Sequence, residues 1–238
     1  MSTPSRVLTA ARTLTAVKGK SLFFDGTDDM VDCGNDESLN FDDTNEFTIE
    51  LWLYPKKETD DYDVLGKWTW SGWKGYFVYY SWETLKISVG HGDDTSTLVY
   101  FPRVTKDNWH HVAFTVTASE LKAYLNGNLK NTEPLSKSIV YCDSSLILSP
   151  PGWTGVRLNG TIPLVRIYER ALSPAEVVYN KEHPHNPVLH GCVLWLDYDS
   201  VDEAAGMWYD KTSYGNDGVV YGATAVEMNK LAGRVLSV

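Results

Sequence analysis

The feature that most constrains the fold is a hydrophobic alternation with a period of two residues, which recurs along much of the chain. In FTIELWLYP (47–55) one face is apolar, and it carries Phe47, Ile49, Leu51 and Leu53. This spacing predicts a strand with one buried face, because successive side chains of a strand point to opposite sides. Short polar or glycine-containing turns separate the predicted strands, as is typical of an antiparallel sandwich. The further strands are predicted at 76–80, 85–90, 96–101, 110–117, 121–125 and 161–168.

Two local signals predict a hairpin and a helix. Asn126-Gly127 separates two strand-like segments, and a type I′ turn needs positive φ at both central residues. The segment SPAE (173–176) offers a serine N-cap, a proline at the first helical position and a glutamate that completes a capping box. We therefore expect one short helix over about 174–181.

Composition excludes several classes of function. The formal net charge of −10 argues against nucleic acid, whose phosphates require clustered Lys and Arg. No segment approaches the roughly 18 apolar residues of a membrane span, so membrane insertion is not expected. The first twenty residues lack a continuous apolar run and do not resemble a signal peptide. Three cysteines without metal-like spacing are interpreted as buried thiols, with one disulfide allowed and none required.

Five segments together resemble a known family. In chain order they are SLFFDGTDDMVDCG (21–34), FTIELWLYP (47–55), WHHVAFTV (109–116), LKAYLNGNL (121–129) and TIPLVRIYERALSPAEV (161–177). This order is similar to that of the laminin-G-like members of the concanavalin A-like lectin/glucanase superfamily, which includes the pentraxins. The resemblance implies an all-β fold, a two-sheet antiparallel jelly-roll sandwich with one short helix. Because such sandwiches serve many functions, the resemblance implies the fold more directly than the activity.

The chain is predicted to have four parts. Residues 1–17 form an N-terminal arm, 18–182 the laminin-G-like sandwich, 183–191 a Pro-rich polar linker and 192–238 a set of C-terminal strands. The last part resembles the entry to a laminin-G-like domain, yet here it follows the domain.

The final residues AGRVLSV (232–238) also echo VKGKSLF (17–23). Three interpretations stay open. The domain is circularly permuted and its tail completes the sandwich, since nearby termini permit permutation. Alternatively the tail pairs with a neighbouring subunit, or it is a truncated second domain.

An acidic cluster early in the sandwich resembles the calcium-proximal loop of the family. Asp25, Asp28 and Asp29 are closely spaced, and Ca²⁺ prefers six to eight oxygen ligands. The family often supplies another carboxylate from a later strand, where this chain has Pro163 and Leu164. The alternative is a turn with solvated acids. We expect no cofactor to be required, and calcium is a candidate ligand at these three aspartates.

A run of aromatic residues between positions 62 and 82 predicts a binding surface. The loop KWTWSGWKG (67–75) holds three Trp with little sheet to bury them. Aromatic rings stack on the C–H faces of sugars, and exposed aromatic patches mark binding surfaces. Glycan binding and protein contact fit equally well, with core packing as the alternative. The candidate ligand-binding residues are Trp68, Trp70, Trp73, Tyr76 and Trp82.

Catalytic motifs are missing from the sequence. Glycosidases of the superfamily carry a pair of carboxylates on one strand, as in E-x-D-x-x-E, and the chain has no such string. His110 and His111 have no nucleophile motif nearby, and we interpret them as structural. Arg166 and Glu169 are interpreted as a structural pair or part of a surface strand. We therefore expect a protein that is not an enzyme.

Two functions of different classes follow. The first is a structural protein of a surface assembly, such as a capsid decoration or attachment protein of a virion, with other protein subunits as partners. The alternative is a lectin-like carbohydrate-binding module, with or without calcium, that binds surface glycans. Both place the protein at a virion or extracellular surface. The missing signal peptide and the two unexplained ends of the chain favour the first.

Overall fold

The computed structural model describes residues 19–42, 46–56, 61–81, 84–102, 104–151 and 156–227. The predicted N-terminal arm (1–17) and the AGRVLSV segment (232–238) lie outside the described residues. Within the described residues, no helix is long and apolar enough to cross a membrane.

The strands are, in chain order, β1 (Lys20–Asp25), β2 (Met30–Asp32), β3 (Phe47–Pro55), β4 (Tyr62–Thr69), β5 (Lys74–Ser81), β6 (Thr84–His91), β7 (Ser96–Pro102), β8 (His110–Val116), β9 (Glu120–Leu125), β10 (Asn128–Pro134), β11 (Ile147–Leu148), β12 (Asn159–Tyr168), β13 (Cys192–Asp202), β14 (Met207–Asp210), β15 (Gly218–Tyr221) and β16 (Thr224–Glu227).

The strands form the two layers of an antiparallel sandwich, which confirms the predicted fold class. One layer has the order β10-β9-β8-β3-β12-β13, and the other has β2-β11-β4-β5-β6-β7. Hydrogen bonding continues from β13 through β14 and β15 into β2. The two layers are therefore joined along one edge.

The tail strands lie beside the first strand of the chain. Two strands pair with one edge of β12. β1 pairs with the first half of that edge and β13 with its second half. On its other side β1 pairs with β16, with Lys20 opposite Glu227 and Leu22 opposite Ala225. Up to Glu227, the strands that follow the predicted linker thus pair within their own chain.

The alternation of the sequence places one side of each layer in a common core. Phe47, Ile49, Leu51 and Leu53 are all fully buried there, as the pattern in β3 predicts. Phe47 stacks on Phe41 with ring centroids 4.8 Å apart, and both rings contact Tyr76 from the other layer. Aromatic contacts of this kind add to the free energy gained from burying apolar area.

The local signals for the turn and the helix are confirmed. Asn126 and Gly127 have φ of 53° and 78° in the β9–β10 turn. Helix α1 (Pro174–Glu182) begins with a complete capping box between Ser173 and Glu176. The three cysteines, Cys33, Cys142 and Cys192, are free and buried.

Helix α1 covers a buried ionic network on the outer face of β3, β8 and β12. Glu50 Oε1 lies 2.6 Å from His111 Nε2, and Glu50 Oε2 accepts from Arg166 Nη1 at 2.9 Å. Asn180 of the helix donates to Glu50 Oε2, also at 2.9 Å. All four side chains are fully buried. A carboxylate at such a depth is stable only when its partners are in place.

The network corrects one sequence interpretation and connects the predicted linker to the sheet. Arg166 pairs with Glu50 and not with Glu169, which lies exposed after the end of β12. Residues 183–191 close over the network, since Arg166 also donates to the Pro184 carbonyl. In the same segment the Val188 amide donates to Asn180 Oδ1 at 2.8 Å. This segment is a packed connection between α1 and β13.

Glu50→Gln is expected to lower the free energy of unfolding by about 3 kcal/mol, because it leaves the Arg166 charge buried without its counter-ion. Burial raises the pKa of Glu50, but Arg166, His111 and Asn180 outweigh it, so the pKa is lowered overall. A lowered pKa contributes stability above the unfolded-state value and loses it as pH falls through the folded-state value. The deficit of the variant should therefore be full at pH 7 and shrink in acid.

Urea denaturation at pH 7 measures this difference. The matched control is Glu120→Gln, which removes the partner of a surface pair with Lys122 and should cost less than about 1 kcal/mol. A Glu50→Gln variant that is as stable as the control would contradict the role given to the network.

Candidate functional site

The outer face of the β4–β7 meander carries an aromatic groove. In β5, Tyr76, Val78 and Tyr80 are buried toward the core, so the residues between them point to the opposite face. These are Phe77 and Tyr79, whose rings stack with centroids 4.8 Å apart and an interplanar angle of 13°. The two rings form the floor of the groove.

Strand register arranges the outer face in rows across the four strands. One row runs from Gly66 to Phe77, Ser88 and Leu98, which pair in sequence across β4, β5, β6 and β7. A Cβ on Gly66 would lie 2.9 Å from the Phe77 ring. Glycine at this position therefore leaves room for the Phe77 ring beside β4.

A second row lies two residues away on β5, β6 and β7, and three residues away on β4, where the register shifts between Asp63 and Leu65. It contains Asp63, Tyr79, Lys86 and Tyr100 in the same strand order. Lys86 Nζ lies 5.5 Å from the centre of the Tyr79 ring. This row is polar and charged, whereas the row of Phe77 is mainly apolar.

The groove has a wall at the end opposite to Asp63. The turn between β4 and β5 forms this wall. Gly72 and Trp73 adopt positive φ of 77° and 48° there, and the Gly92 amide donates to the Trp73 carbonyl at 3.0 Å. A Cβ on Gly90 would lie 2.2 Å from that carbonyl oxygen. Glycine at position 90 is thus required for the turn to pack against the sheet.

The tryptophans of the wall continue the aromatic surface of the floor. Trp68 and Trp70 meet edge to face with centroids 5.8 Å apart, and Trp70 meets Phe77 edge to face at 5.7 Å. Trp70 is 41% exposed. The groove has a volume of about 290 Å³ and is lined by Asp61, Asp63, Trp68, Trp70, Trp73, Phe77, Tyr79, Tyr80, Ser81, Ser88, Ser96 and Leu98.

The structure brings three of the five predicted ligand-binding residues together. Trp68, Trp70 and Trp73 all line the groove. Trp68 belongs to strand β4, so the predicted loop 67–75 is shorter than expected.

The placement of Tyr76 corrects the prediction. Its side chain is 2% exposed on the core side of β5, and its hydroxyl donates to the Leu39 carbonyl at 3.2 Å. It does not reach the groove. Trp82 lies outside the described residues.

Sequence reasoning did not select several residues of the groove. Phe77 and Tyr79 belong to the aromatic run, but every position from 76 to 80 is aromatic or apolar, so the alternation does not tell the two faces apart. Asp63 offers a clearer signal, an acidic residue inside the otherwise apolar segment YDVLG (62–66). A carboxylate in such a segment indicates a polar function on one face of the strand.

The lining of the groove carries unsatisfied polar atoms. Asp63 is 5% exposed, and its Oδ2 has no hydrogen-bond partner among the described residues. Trp68 Nε1, also in the groove lining, likewise has no partner in the described part of the chain. Burial, followed by the charge of Asp61, raises the pKa of Asp63 to about 7. Buried polar groups without partners are rare in folded proteins.

The acidic loop between β1 and β2 is a second candidate site. One carboxylate oxygen from each of Asp25, Asp28 and Asp29 lies within 4.8 Å of the others. Backbone amides hold two of the carboxylates, since Asp25 donates to Asp29 Oδ2 at 2.8 Å and Thr27 donates to Asp25 Oδ1 at 2.7 Å. The loop therefore fixes the three acids as a cluster.

The charges of this cluster suit a hard cation. Burial raises the pKa of Asp29, and the charges of Asp25 and Asp28 add to that effect. A bound cation would relieve this repulsion. One oxygen from each of the three carboxylates supplies fewer than the six to eight oxygens that Ca²⁺ takes, so second carboxylate oxygens, backbone oxygens or water would complete the set.

The strand opposite the loop offers an amide in place of the family carboxylate. Asn159 pairs with Asp25 in register, and its Nδ2 donates to the Asp25 carbonyl at 2.9 Å. Leu164, at one of the two positions where the family often has an acid, is buried. Register, which sequence reasoning did not establish, is what identifies Asn159 as a neighbour of the acidic loop.

Comparison with known proteins identifies the family. A laminin-G-type family model, described as the concanavalin A-like lectin/glucanases superfamily, matches residues 25–178. No curated protein sequence matches the chain. Among solved structures, a candidate carbohydrate-binding protein from Bacteroides ovatus is similar with a TM-score of 0.69 and 16% identity. The alignment covers 88% of this chain and 60% of that protein, so this chain spans less than two thirds of its length.

Two further structures share the fold. The heptameric SAP-like pentraxin of Limulus polyphemus has a TM-score of 0.58 and 12% identity, over 88% of this chain and 95% of that one. Domain 4 of the extracellular arabinanase AbnA from Geobacillus stearothermophilus, in complex with arabinotriose, has a TM-score of 0.52 and 21% identity, over 67% and 75%. The family match extends over more than half of the sequence, and the chain belongs to the concanavalin A-like lectin/glucanase superfamily.

Proposed function

We propose that this protein is a lectin-like carbohydrate-binding module and that its ligand lies in the groove on the outer face of β4–β7. The observation that carries the proposal is the continuous surface of Trp68, Trp70, Phe77 and Tyr79 rings. Sugar rings present C–H faces that pack on aromatic rings, while hydroxyls need hydrogen-bond partners nearby. Ser88 and Asp63 line the same groove and supply such groups.

The similar structures support this proposal. One is a candidate carbohydrate-binding protein, and another is an arabinanase domain that was solved with arabinotriose. Their identities of 16% and 21% show a common fold alone. The ligand is therefore argued from the groove of this chain, whose volume of about 290 Å³ fits a short saccharide segment.

The proposed binding is not catalytic. A glycosidase places two carboxyl groups on either side of the scissile bond. In this groove the two lining acids, Asp61 and Asp63, lie at the same end, and the tryptophan wall lies at the other. The expected result of incubation with a bound glycan is recovery of the intact glycan.

The sequence prediction of a structural protein of a surface assembly, such as a virion, stays a prediction. It relied in part on the two unexplained ends of the chain. The described tail, up to Glu227, pairs with β1, β2 and β12 of the same chain. The comparisons favour the lectin-like alternative over the virion role.

We also propose that the acidic loop binds one Ca²⁺ through Asp25, Asp28 and Asp29. Its support is the convergence of three carboxylate oxygens within 4.8 Å and the raised pKa of Asp29. Arg157 connects this loop to the groove, because it forms a β-bridge with Asp63 and its guanidinium approaches the Asp29 carbonyl at 3.4 Å. The ion would thus stabilise one end of the glycan site.

Trp70→Ala is expected to weaken binding of the best glycan on an array by about tenfold or more, because it removes an exposed ring of the groove. Isothermal titration calorimetry with that glycan measures the loss. The matched control is Tyr221→Ala, an exposed aromatic on β15 that does not line the groove. Equal affinity of Trp70→Ala and wild type would rule out the groove as the site.

Calcium is expected to bind at a single site with a dissociation constant of about 10⁻⁴ to 10⁻³ M and to raise the melting temperature. Asp28→Asn should abolish both effects. Asp94→Asn, which changes an exposed acid at positive φ in the β6–β7 turn, should leave them intact. Unchanged calorimetry and melting at about 10 mM Ca²⁺ would contradict the metal proposal and leave the groove proposal standing.

A further inference from the structure

We propose that β7 is a dimerisation edge, at which two copies of the chain pair strand to strand and join their grooves into one surface. In the sheet order β7 ends its layer, and among the described strands it pairs only with β6. A strand at the end of a sheet presents unpaired backbone groups that can bind another strand. The dimer stands on this edge alone, whereas its effect on glycan avidity rests on the proposed function.

Two other strands of the described residues, β10 and β16, also end a run of pairing, and both are protected. β10 contains Lys130 and Glu133, ends at Pro134 and has a register shift after Leu129. β16 has four residues and ends at Glu227. Charges, prolines, bulges and short length all discourage pairing at an edge. β7 (STLVYFP) has seven residues and no charged side chain, and its proline comes last.

The hydrogen bonds of the β6–β7 ladder determine which backbone groups of β7 face the open edge. The His91 amide donates to the Thr95 carbonyl at 3.0 Å, and the register continues from there without a shift. Bonded and non-bonded pairs alternate along an antiparallel ladder, so every second residue after Thr95 bonds to β6. The amides and carbonyls of Ser96, Leu98 and Tyr100 therefore point away from β6.

The same three residues carry side chains on the face of the groove. Ser96 and Leu98 line the groove, while Leu98 and Tyr100 are 39% and 42% exposed. Val99 and Phe101, which alternate with them, are fully buried in the core. Open backbone groups and exposed apolar side chains thus occur together along one edge. An added strand would bond to the backbone and cover the side chains.

A second copy of the chain fits this edge in one register. A twofold axis at Leu98 places that residue beside Leu98 of the second copy, and Ser96 beside Tyr100 of the second copy. Each of these pairs exchanges two backbone hydrogen bonds. Pro102, which has no amide to donate, stays outside the new ladder.

Charge complementarity favours a second copy as the occupant. The sequence is acidic before β7, at Asp93 and Asp94, and basic after it, at Arg103 and Lys106. Asp93 also pairs with Lys137 of its own chain at 2.7 Å, and Asp94 is exposed. Because the two strands run in opposite directions, the acidic end of each meets the basic end of the other.

Pairing at Leu98 joins the two grooves in one row. Leu98, Ser88 and Phe77 lie in register on β7, β6 and β5, and the row continues in reverse order into the second copy. Five strand spacings then separate the two Phe77 residues, or about 24 Å. Both grooves open on the same side of the joined sheet. A polysaccharide that spans them would bind both copies at once and gain avidity.

Light scattering of purified protein tests the dimer. At about 100 μM the wild type should have the mass of two chains. Leu98→Lys and Leu98→Glu should each be monomeric, because the twofold axis places like charges side by side. Their equimolar mixture should restore the dimer, since lysine then faces glutamate, and this recovery shows that both variants fold. Tyr221→Lys, which changes an exposed residue of β15, should remain dimeric.

Tyr100→Pro separates the dimer from the groove. It removes an amide that faces the open edge and no bond to β6, and Tyr100 does not line the groove. The variant should be monomeric. On an immobilised polysaccharide that contains the array glycan, the wild type should bind at least about 100-fold tighter than Tyr100→Pro. Their affinities for a short soluble fragment should agree within about twofold.

The outcomes distinguish this proposal from the proposed function. A monomeric wild type, a dimer that persists in Tyr100→Pro and both Leu98 variants, or a mixture that stays monomeric overturns the pairing at β7 and leaves glycan binding by the groove intact. A β7-dependent dimer that binds no glycan contradicts the proposed function alone. Equal binding of wild type and Tyr100→Pro to the polysaccharide overturns the joined surface.

Discussion

In this sandwich every strand turns one face to the common core. The opposite, outer face of the strands is covered by other parts of the chain in one layer and open to solvent in the other. On β3, β8 and β12 the outer face is closed by α1 and by the segment 183–191. On β4–β7 the outer face holds an aromatic groove with an exposed Trp70. The same two-residue alternation thus yields a sealed ionic layer on one side and a binding surface on the other.

The buried acid of each outer face has partners that differ with the role of that face. In the sealed layer both carboxylate oxygens of Glu50 have partners inside the protein, namely a cation, a histidine and an amide, while His111 Nδ1 and Arg166 Nε have none among the described residues. In the groove, by contrast, the buried Asp63 oxygen lacks a partner among the described residues. The first arrangement serves stability, while the second lowers stability and leaves a hydrogen-bonding capacity that a ligand can use.

Much of the fold followed from local rules in the sequence. The alternation in β3, the Asn126-Gly127 turn and the capping box at Ser173 each depend on neighbouring residues, and each was predictable. The groove was only partly predictable. Trp68 and Trp70 were identified from composition, but Tyr76 was placed on the wrong face because 76–80 is apolar throughout. The Glu50–Arg166 pair, separated by 116 positions, depends on strand register that a single sequence does not reveal.

The central claim is that the rings of Trp68, Trp70, Phe77 and Tyr79 form a glycan-binding surface. A crystal structure of the protein with its highest-affinity array glycan tests it most directly. The account predicts a sugar ring packed on Trp70 and Phe77, with a polar substituent directed toward Asp63. A glycan bound away from β4–β7, with the groove filled only by water, would contradict it.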